Sequence, residues 1–403
     1  MNLPQPAAVV IGIEINGLGV LRSLALGDVP LIAADVDLRQ ATLRTRYGRK
    51  VRLRALSGPH LIEDLLALAP TLGPRPVLFM TRDETVATVS AHREILAAHY
   101  RLQLPPPDIT AALNTKAGFQ AIAAQGAFPI PPGAHIVTEA DLPQLATLPY
   151  PCALKPGERN AAYDRQFAKA YRVESAAEAE ALCRRILPVM PDLLVQQWIE
   201  GADDAIYFVL QYHPGGGRPP LSFTGRKVRS WPAAIGVAAR CGPAPEAAPL
   251  LEPLTTCFFQ HCRLEGWAAM EYKRDAHHGH FVMIEPSVGR SEMLGEIATL
   301  NGVNLPLAAY LWQIGQEPPP PHARPCTLWR RDWLADVAAA RAQPDVGCWP
   351  PAHAPVVDGY WRRDDPLPAL FGYPARLAGA FWRRLRAAGH SRRPLLDSTK
   401  ITT

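Results

Sequence analysis

Trp267-Ala268-Ala269-Met270-Glu271-Tyr272-Lys273 (WAAMEYK) is followed, after a seven-residue polar segment, by Phe281-Val282-Met283-Ile284-Glu285 (FVMIE). Both runs have the apolar and aromatic character of short strands. The segment between them, Arg274-Asp275-Ala276-His277-His278-Gly279-His280, has that of a turn. In an antiparallel pair, positions equidistant from the turn lie roughly opposite, about 4.5–5.5 Å apart at Cα. Glu271 and Glu285 are nearly equidistant, and alternation puts Trp267, Ala269, Glu271 and Lys273 on one face. Like charges opposed on one face destabilise a sheet unless something bridges them. A hard divalent cation does so, because Mg²⁺ takes one or two carboxylates together with substrate phosphates. The alternative is a surface pairing of one glutamate with Arg290 or Lys273.

The rest of the chain supplies context. Its 403 residues are enough for two or three domains. With 48% hydrophobic and 20% charged residues, a packed globular core is expected. The net charge of +5 is a mild excess that suits anionic small molecules and does not imply nucleic acid. Seven cysteines without a C-x-x-C pair argue against a disulfide framework or a structural zinc site. Without a leader-like stretch or a long apolar run, the expected location is the cytoplasm. The 42 prolines cluster in part at Leu104 to Asp108 and Glu317 to His322, which serve as boundaries.

Along the N-terminal third, strand and helix alternate. Strands are expected at Ala7 to Ile13, Pro30 to Asp35 and Pro76 to Met80. Helices are expected at Leu18 to Leu26, Leu61 to Leu68 and Glu84 to His99. This is the α/β pattern of a parallel sheet covered by helices on both faces. The first turn, Gly12-Ile13-Glu14-Ile15-Asn16-Gly17-Leu18-Gly19, approaches a dinucleotide fingerprint. It puts Glu14 where the second glycine should admit a pyrophosphate, which disfavours a nicotinamide oxidoreductase. Glu14 and Asn16 suit a polar or cationic substrate group instead, or Asn16 simply caps the helix.

Farther on, Ile109 to Ala124 reads as a helix with Asn114-Thr115-Lys116 in its first turns. Tyr150 to Pro156 reads as a strand carrying Lys155, before a polar loop from Gly157 to Gln166. Helix Ala176 to Leu187 and strand Leu193 to Gln197 lead into Gln196-Gln197-Trp198-Ile199-Glu200-Gly201-Ala202-Asp203-Asp204. Strands Ala205 to Tyr212 and Leu221 to Phe223 come next, then a basic loop Gly225-Arg226-Lys227-Val228-Arg229. A long helix, Leu250 to Leu264, precedes the glutamate hairpin.

In that order, these pieces resemble the ATP-grasp superfamily. They are a lysine near a helix start, PCALKP, VQQWIEGAD, a basic loop, then EYK and IEPSVGR. The resemblance covers roughly residues 1 to 315 and is closest to carboxylate–amine ligases of the D-alanine–D-alanine and D-aspartate ligase type. The run from Ile284 to Pro306 looks most like members found with exopolysaccharide genes. The fold implied is α/β and α+β: a Rossmann-like preATP-grasp domain (1–108), then ATP-grasp subdomains at 109–192 and 193–316. A Pro/Trp/Arg-rich extension (317–403) follows.

The activity implied is ATP-dependent joining of a carboxylate to an amine through an acyl-phosphate. A catalytically weakened ATP-binding module of the same fold is the alternative. By resemblance, Lys116 and Lys155 contact the nucleotide, Gln196, Gln197, Trp198 and Ile199 form the adenine hinge, and Asp203 contacts the ribose. Arg226 and Lys227 face the γ-phosphate or acyl-phosphate, and Arg290 lies near the transferred phosphate or substrate carboxylate. Glu271, Glu285 and Ser287 hold Mg²⁺ or Mn²⁺. The family has asparagine where Ser287 stands, and several glycines where Gly157 to Tyr163 has one; Arg159 could compensate there by charge. Glu14, Asn16, Asp83 and Arg229 are candidates for the substrate pocket. Partners implied are a small-molecule carboxylate and amine, without nucleic acid, and a homodimer by family precedent.

The histidines at 277, 278 and 280 read as a solvated hairpin tip, a fourth metal ligand being absent from the run. Phe381-Trp382-Arg383-Arg384-Leu385-Arg386 is basic and amphipathic, permitting no more than weak membrane-surface contact. It is expected as a helix docked on the body, with residues after Ser391 disordered.

Overall fold

The computed structural model describes residues 5–157, 161–233, 236–322, 324–343 and 353–377. Arg159, the segment Phe381 to Arg386 and the stretch after Ser391 lie outside the described residues.

The first sheet is formed by β1 (Ala8–Ile11), β2 (Leu31–Asp35), β3 (Arg49–Arg52) and β4 (Val77–Met80). It is wholly parallel, in the order β3-β2-β1-β4. Strands β1 and β4 are buried along their whole length, as runs of apolar residues in a helix-covered parallel sheet must be. The helices are α1 (Ile15–Ala25), α2 (Pro59–Leu68), α3 (Asp83–Ala91) and α4 (Arg93–Ala97). The single helix expected from 84 to 99 is interrupted at His92, which leaves helical dihedrals (φ −117°, ψ 22°). Strand order reverses between β1 and β4, and the crevice outside their carboxyl ends is where such sheets take ligands. The turns after both strands meet there. Gly12 is at φ +83°, and a Cβ on it would sit 2.6 Å from Thr81 Oγ1.

Two helices, α5 (Pro107–Leu113) and α6 (Lys116–Gln125), replace the single one expected over 109–124. Thr115 is the cause: it is extended, and its Oγ1 accepts from the Gly118 N–H at 3.1 Å, starting a new helix at Lys116. The second sheet contains β5 (Gly133–Ile136), β6 (Cys152–Pro156), β7 (Tyr171–Val173) and β8 (Leu193–Gln197), in the order β5-β8-β6-β7. With the short α7 (Ala161–Asp164) and α8 (Ala176–Ile186) come the apolar groups of its own core, among them Leu154, Tyr163, Ile186 and Val195. Strand β8 pairs with β5 and β6, so this sheet reaches residue 197.

The third sheet has seven strands. These are β9 (Ile206–His213), β10 (Leu221–Trp231), β11 (Val237–Pro243), β12 (Gly266–Arg274), β13 (Phe281–Val288), β14 (Leu328–Arg330) and β15 (Val356–Asp358). Their order is β13-β12-β9-β10-β11-β14-β15. Residues 317 onward thus add two strands to the sheet. Helices α9 (Ala248–His261), α10 (Gly295–Leu300), α11 (Leu305–Gln313) and α12 (Trp333–Ala342) accompany it, and residues 367–377 are also helical. One face packs on α5, α6 and α9 through Val209, Met270, Phe119 and Phe258. The other shares a core with the first sheet: Leu210, Tyr212 and Trp267 join Val10, Phe79, Leu21 and Ile297.

A buried ionic cluster locks the chain's later part to its beginning. Arg22 of α1 donates to Gly359 O (2.7 Å), Tyr360 O (3.0 Å) and Asp365 Oδ2 (2.9 Å). Asp365 also accepts from Thr45 Oγ1 (2.7 Å) and Arg46 N (2.9 Å). Glu296 accepts from Trp329 Nε1 at 2.9 Å and lies 2.7 Å from Arg362.

Candidate functional site

Glu271 and Glu285 are cross-strand partners. The pairing depends on a β-bulge. From the turn inward, Arg274 opposes Phe281, Lys273 opposes Val282 and Tyr272 opposes Met283. Continued regularly, Glu271 would oppose Ile284, and Glu285 would point to the other face. The register shift between Glu271 and Tyr272 absorbs Ile284 and turns both carboxylates to one face.

Their surroundings differ. Glu271 is half-buried and its Oε2 lies 2.6 Å from Nζ of buried Lys227. Glu285 is exposed, and among the described residues its carboxylate has no hydrogen-bond or ion-pair partner. Neither glutamate pairs with Lys273, whose ammonium donates to the Gly201 (2.6 Å) and Ala202 (3.3 Å) carbonyls. Burial lowers the Lys273 pKa, with Asp203 and Glu271 pulling the other way.

Lys116, Lys155, Glu285, Ser287, Arg290 and Asp83 line one open cleft of about 550 Å³, with Asn114 and Leu194. Lys116 opens α6 and donates to the Gly157 carbonyl at 2.6 Å. Lys155 sits in β6 opposite Leu194. Burial pushes its pKa down; the Glu285 and Glu271 carboxylates oppose that shift, and the Lys116 charge adds to it. Gln196, on β8, is buried and its Oε1 has no hydrogen-bond partner. An orphaned acceptor of this kind costs free energy unless a ligand supplies a donor.

The hinge is only partly open to a base edge. The Gln197 N–H donates to Pro132 O (2.8 Å) and that of Trp198 to Pro151 O (2.9 Å), which takes these two donors out of the adenine reading. The Trp198 indole instead carries the Arg172 guanidinium 5.3 Å from its ring. Ile199 is buried. Asp203 is also buried, its Oδ2 accepting from Ser230 N at 2.8 Å.

The basic loop expected at 225–229 is strand: β10 runs from Leu221 to Trp231, and its residues are dispersed by alternation and two register shifts. Only Lys227 reaches the glutamates. Arg226 crosses to the opposite face, onto the Tyr207 ring (5.1 Å) and Asp204 Oδ2 (3.0 Å). Arg229 lies 3.7 Å from Asp336 on α12, and burial lowers its pKa. Gly225 carries no side chain because the Phe208 ring occupies that space; a Cβ there would be 2.2 Å from it.

Arg290 joins the hairpin to the first sheet. Its guanidinium donates to Asp83 (2.5 and 3.3 Å), Glu292 Oε1 (2.6 Å), Ser291 O (3.2 Å) and Ser287 Oγ (3.2 Å). Burial works against its charge, but Glu292 and Asp83 outweigh that and raise its pKa. Asn16 does not cap α1: it donates to Thr81 O (3.2 Å) and Ser291 O (2.7 Å), tying the β1 turn to the same loop. Glu14 is exposed and ion-paired with Arg82 at 2.5 Å. Glu292, which sequence reasoning passed over, stands two residues beyond Arg290; its charge beside a site arginine was the available signal.

Among the described residues, no group of three or more His, Cys, Asp or Glu side chains could hold a metal ion. His278 of the hairpin tip contacts Asp275 at 3.2 Å.

No protein-family model and no curated relative matches this sequence. Solved structures do. An N5-carboxyaminoimidazole synthetase from Staphylococcus aureus in complex with ADP matches at TM-score 0.65 and 10% identity, over 84% of this chain and 86% of that one. A biotin carboxylase–ATP complex from Campylobacter jejuni matches at TM-score 0.62 and 14% identity, over 80% and 75%. The biotin carboxylase domain of Hydrogenobacter thermophilus 2-oxoglutarate carboxylase, a dimer with MgADP and bicarbonate, matches at TM-score 0.61 and 12% identity, over 81% and 74%. At such identities the likeness concerns the fold alone: the chain shares its overall architecture with these enzymes.

Proposed function

We propose that the protein is an ATP-dependent ligase that joins a carboxylate to an amine through an acyl-phosphate. The observation that carries this reading is the convergence of Lys116, Lys155 and the Glu285-to-Arg290 stretch, from three separate segments, on one open cleft. Solved structures of the same fold that hold ADP or MgADP support it.

ATP would bind between the second and third sheets, its adenine amine donating to the orphaned Gln196 Oε1 and its phosphates meeting Lys116 and Lys155. The donor set fits one hard divalent cation: two opposed carboxylates, one of them unpartnered, beside the Ser287 hydroxyl. Lys227 already offers Glu271 a positive charge. When bound, Mg²⁺ would withdraw charge from the β- and γ-phosphate oxygens. A substrate carboxylate oxygen attacks the γ-phosphorus in line. The bond to the β,γ-bridging oxygen breaks, and its electron pair leaves with ADP. The amine nitrogen then attacks the acyl carbon, loses a proton and expels phosphate. The chain contributes positioning and fixed charge throughout, and no protein nucleophile is required. Arg290, held by Asp83 and Glu292, is placed to orient the carboxylate or the transferred phosphoryl group.

The D-alanine–D-alanine or D-aspartate ligase flavour and use in the cytoplasm belong to this proposal. A second reading has a specific basis: Ser287 stands where the family has asparagine, and its Oγ is engaged by Arg290. Weaker metal binding would then leave an ATP-binding module with little turnover. ADP release measured across amino acids and small carboxylic acids separates the two. Substrate-dependent release supports the ligase; tight ATP binding without release under any pairing supports the module and defeats the ligase.

A further inference from the structure

On the second sheet one cross-strand row runs His135, Leu194, Lys155. It lies on the face away from that sheet's core, whose side chains include Ala134, Ile136, Leu154 and Val195. Leu194 and Lys155 line the cleft, so His135 shares the face that the cleft covers. Four segments meet beside this row. Past the last strand pair, Pro156 with Leu193, the ladder runs one step further: the Gly157 N–H donates to Asp192 O at 2.8 Å. The Asp192 carboxylate leans across Gly157, and a Cβ there would fall inside it. His135 donates through Nε2 to Asp192 Oδ1 at 2.6 Å. The Gly157 carbonyl in turn accepts from Lys116 Nζ at 2.6 Å.

Each link has a physical reason. Gly157 is not among the glycines at positive φ, so its identity answers to space: only a residue without a side chain fits under the Asp192 carboxylate. That accounts for the single glycine between 157 and 163. Lys116 is half-buried and carries its charge on a flexible four-carbon stem, which a fixed acceptor confines.

We propose that His135 and Asp192 are positioning residues for nucleotide binding: together they clamp Gly157, whose carbonyl holds the Lys116 ammonium at the cleft where the triphosphate arrives. The inference rests on the nucleotide reading of that cleft and adds a pair that acts on it through Lys116. As an ion pair 39% and 41% exposed, the two side chains contribute little to stability. Their effect is on placement, where an error of about 1 Å is costly. A surface pair of no consequence would need neither the bare α-carbon at 157 nor the extended ladder.

Two measurements on the full chain test this. Without nucleotide, the rate at which acetic anhydride modifies Lys116 reads how firmly its ammonium is held. With nucleotide, calorimetry reads the affinity for ATP. Asp192→Ala should raise the labelling rate by about threefold or more and weaken ATP binding by about tenfold. Asp192→Asn keeps an acceptor for His135 in the same space and should stay within about twofold of the native chain in both. In a Lys116→Ala background, Asp192→Ala should change ATP affinity by less than about twofold, because a residue acting through Lys116 then has nothing to act on. If Asp192→Ala lowers the melting temperature, His135→Ala decides, since it leaves the carboxylate in place but unheld; the same directions are expected at smaller size. Unchanged labelling, an undiminished ATP loss in the Lys116→Ala background, or Asp192→Asn as poor as Asp192→Ala overturns the pair alone. A native chain that binds no ATP overturns the nucleotide reading of the cleft, and the pair's role in it with that reading.

Discussion

Two charged regions of this molecule use the same residue types to opposite ends. Around Arg22, carboxylates and guanidiniums are buried and answered within the chain: Asp365 accepts from Arg22, Thr45 and Arg46, and Glu296 from Trp329. At the candidate site, Glu285 stands in the cleft without a partner among the described residues, its cross-strand neighbour is Glu271, and Gln196 Oε1 on β8 is buried and unbonded. Desolvated charge is tolerated only where its hydrogen bonds are made. The first region meets that condition by itself and therefore holds the fold together. The second does not: Lys227 answers Glu271, but the exposed Glu285 carboxylate and the buried Gln196 Oε1 are left over, and those are groups that a ligand completes.

The contrast breaks most visibly at Arg22. Arg22→Ala leaves Asp365 buried and short of its cation, so stability should fall by about 3–5 kcal/mol in urea melts; a loss below 1 kcal/mol would make the cluster incidental. In the cleft the opposite outcome is expected. Glu285→Gln should leave the melting curve unchanged while lowering Mg²⁺-dependent ATP consumption by about 100-fold or more. Full turnover by that variant removes the metal assignment. A smaller effect comes from His213, which is 6% exposed and whose pKa burial lowers from 6.5 to about 4. The folded protein keeps it neutral, so the unfolded chain binds the extra proton. Stability is complete above about pH 6.5 and declines as pH falls toward 4, by roughly 2 kcal/mol. In melts at pH 7 and pH 4.5, His213→Gln should flatten that decline. The smallest effect is at Ser287: Ser287→Asn should lower the Mg²⁺ concentration needed for ATP binding by about fivefold. No change would show that the position plays no part in holding metal.

Much of this was legible in the sequence. Strands β1, β2 and β4 follow from uninterrupted apolar runs, and Lys155 from its place in a strand. The opposed glutamates were found by symmetry about a turn, yet that symmetry alone is one residue out. Only the bulge at Ile284 makes the pairing hold, and a bulge of this kind has no composition signature. The 225–229 run reads as a loop because its charge density outweighs its β propensity, yet it lies inside β10. A charged strand is stable here because Asp204, Glu271 and Asp336 answer its cations one by one from other elements. Those partners, like Asp365 for Arg22, are fixed by contacts far apart in sequence, which periodicity does not carry. Thr115 was a readable N-cap, masked by the helical residues on both sides of it.

One consequence lies in how the apolar cores are shared. The first and third sheets are cemented by common side chains, with Phe79 against Trp267 and Val10 in one cluster with Leu210 and Tyr212, while the second sheet keeps its own interior. The molecule is therefore built as a rigid frame and a separate jaw. Parting the frame would open a shared apolar interior to water, whereas shifting β5 to β8 would leave both interiors closed, so the second sheet is the cheaper one to displace.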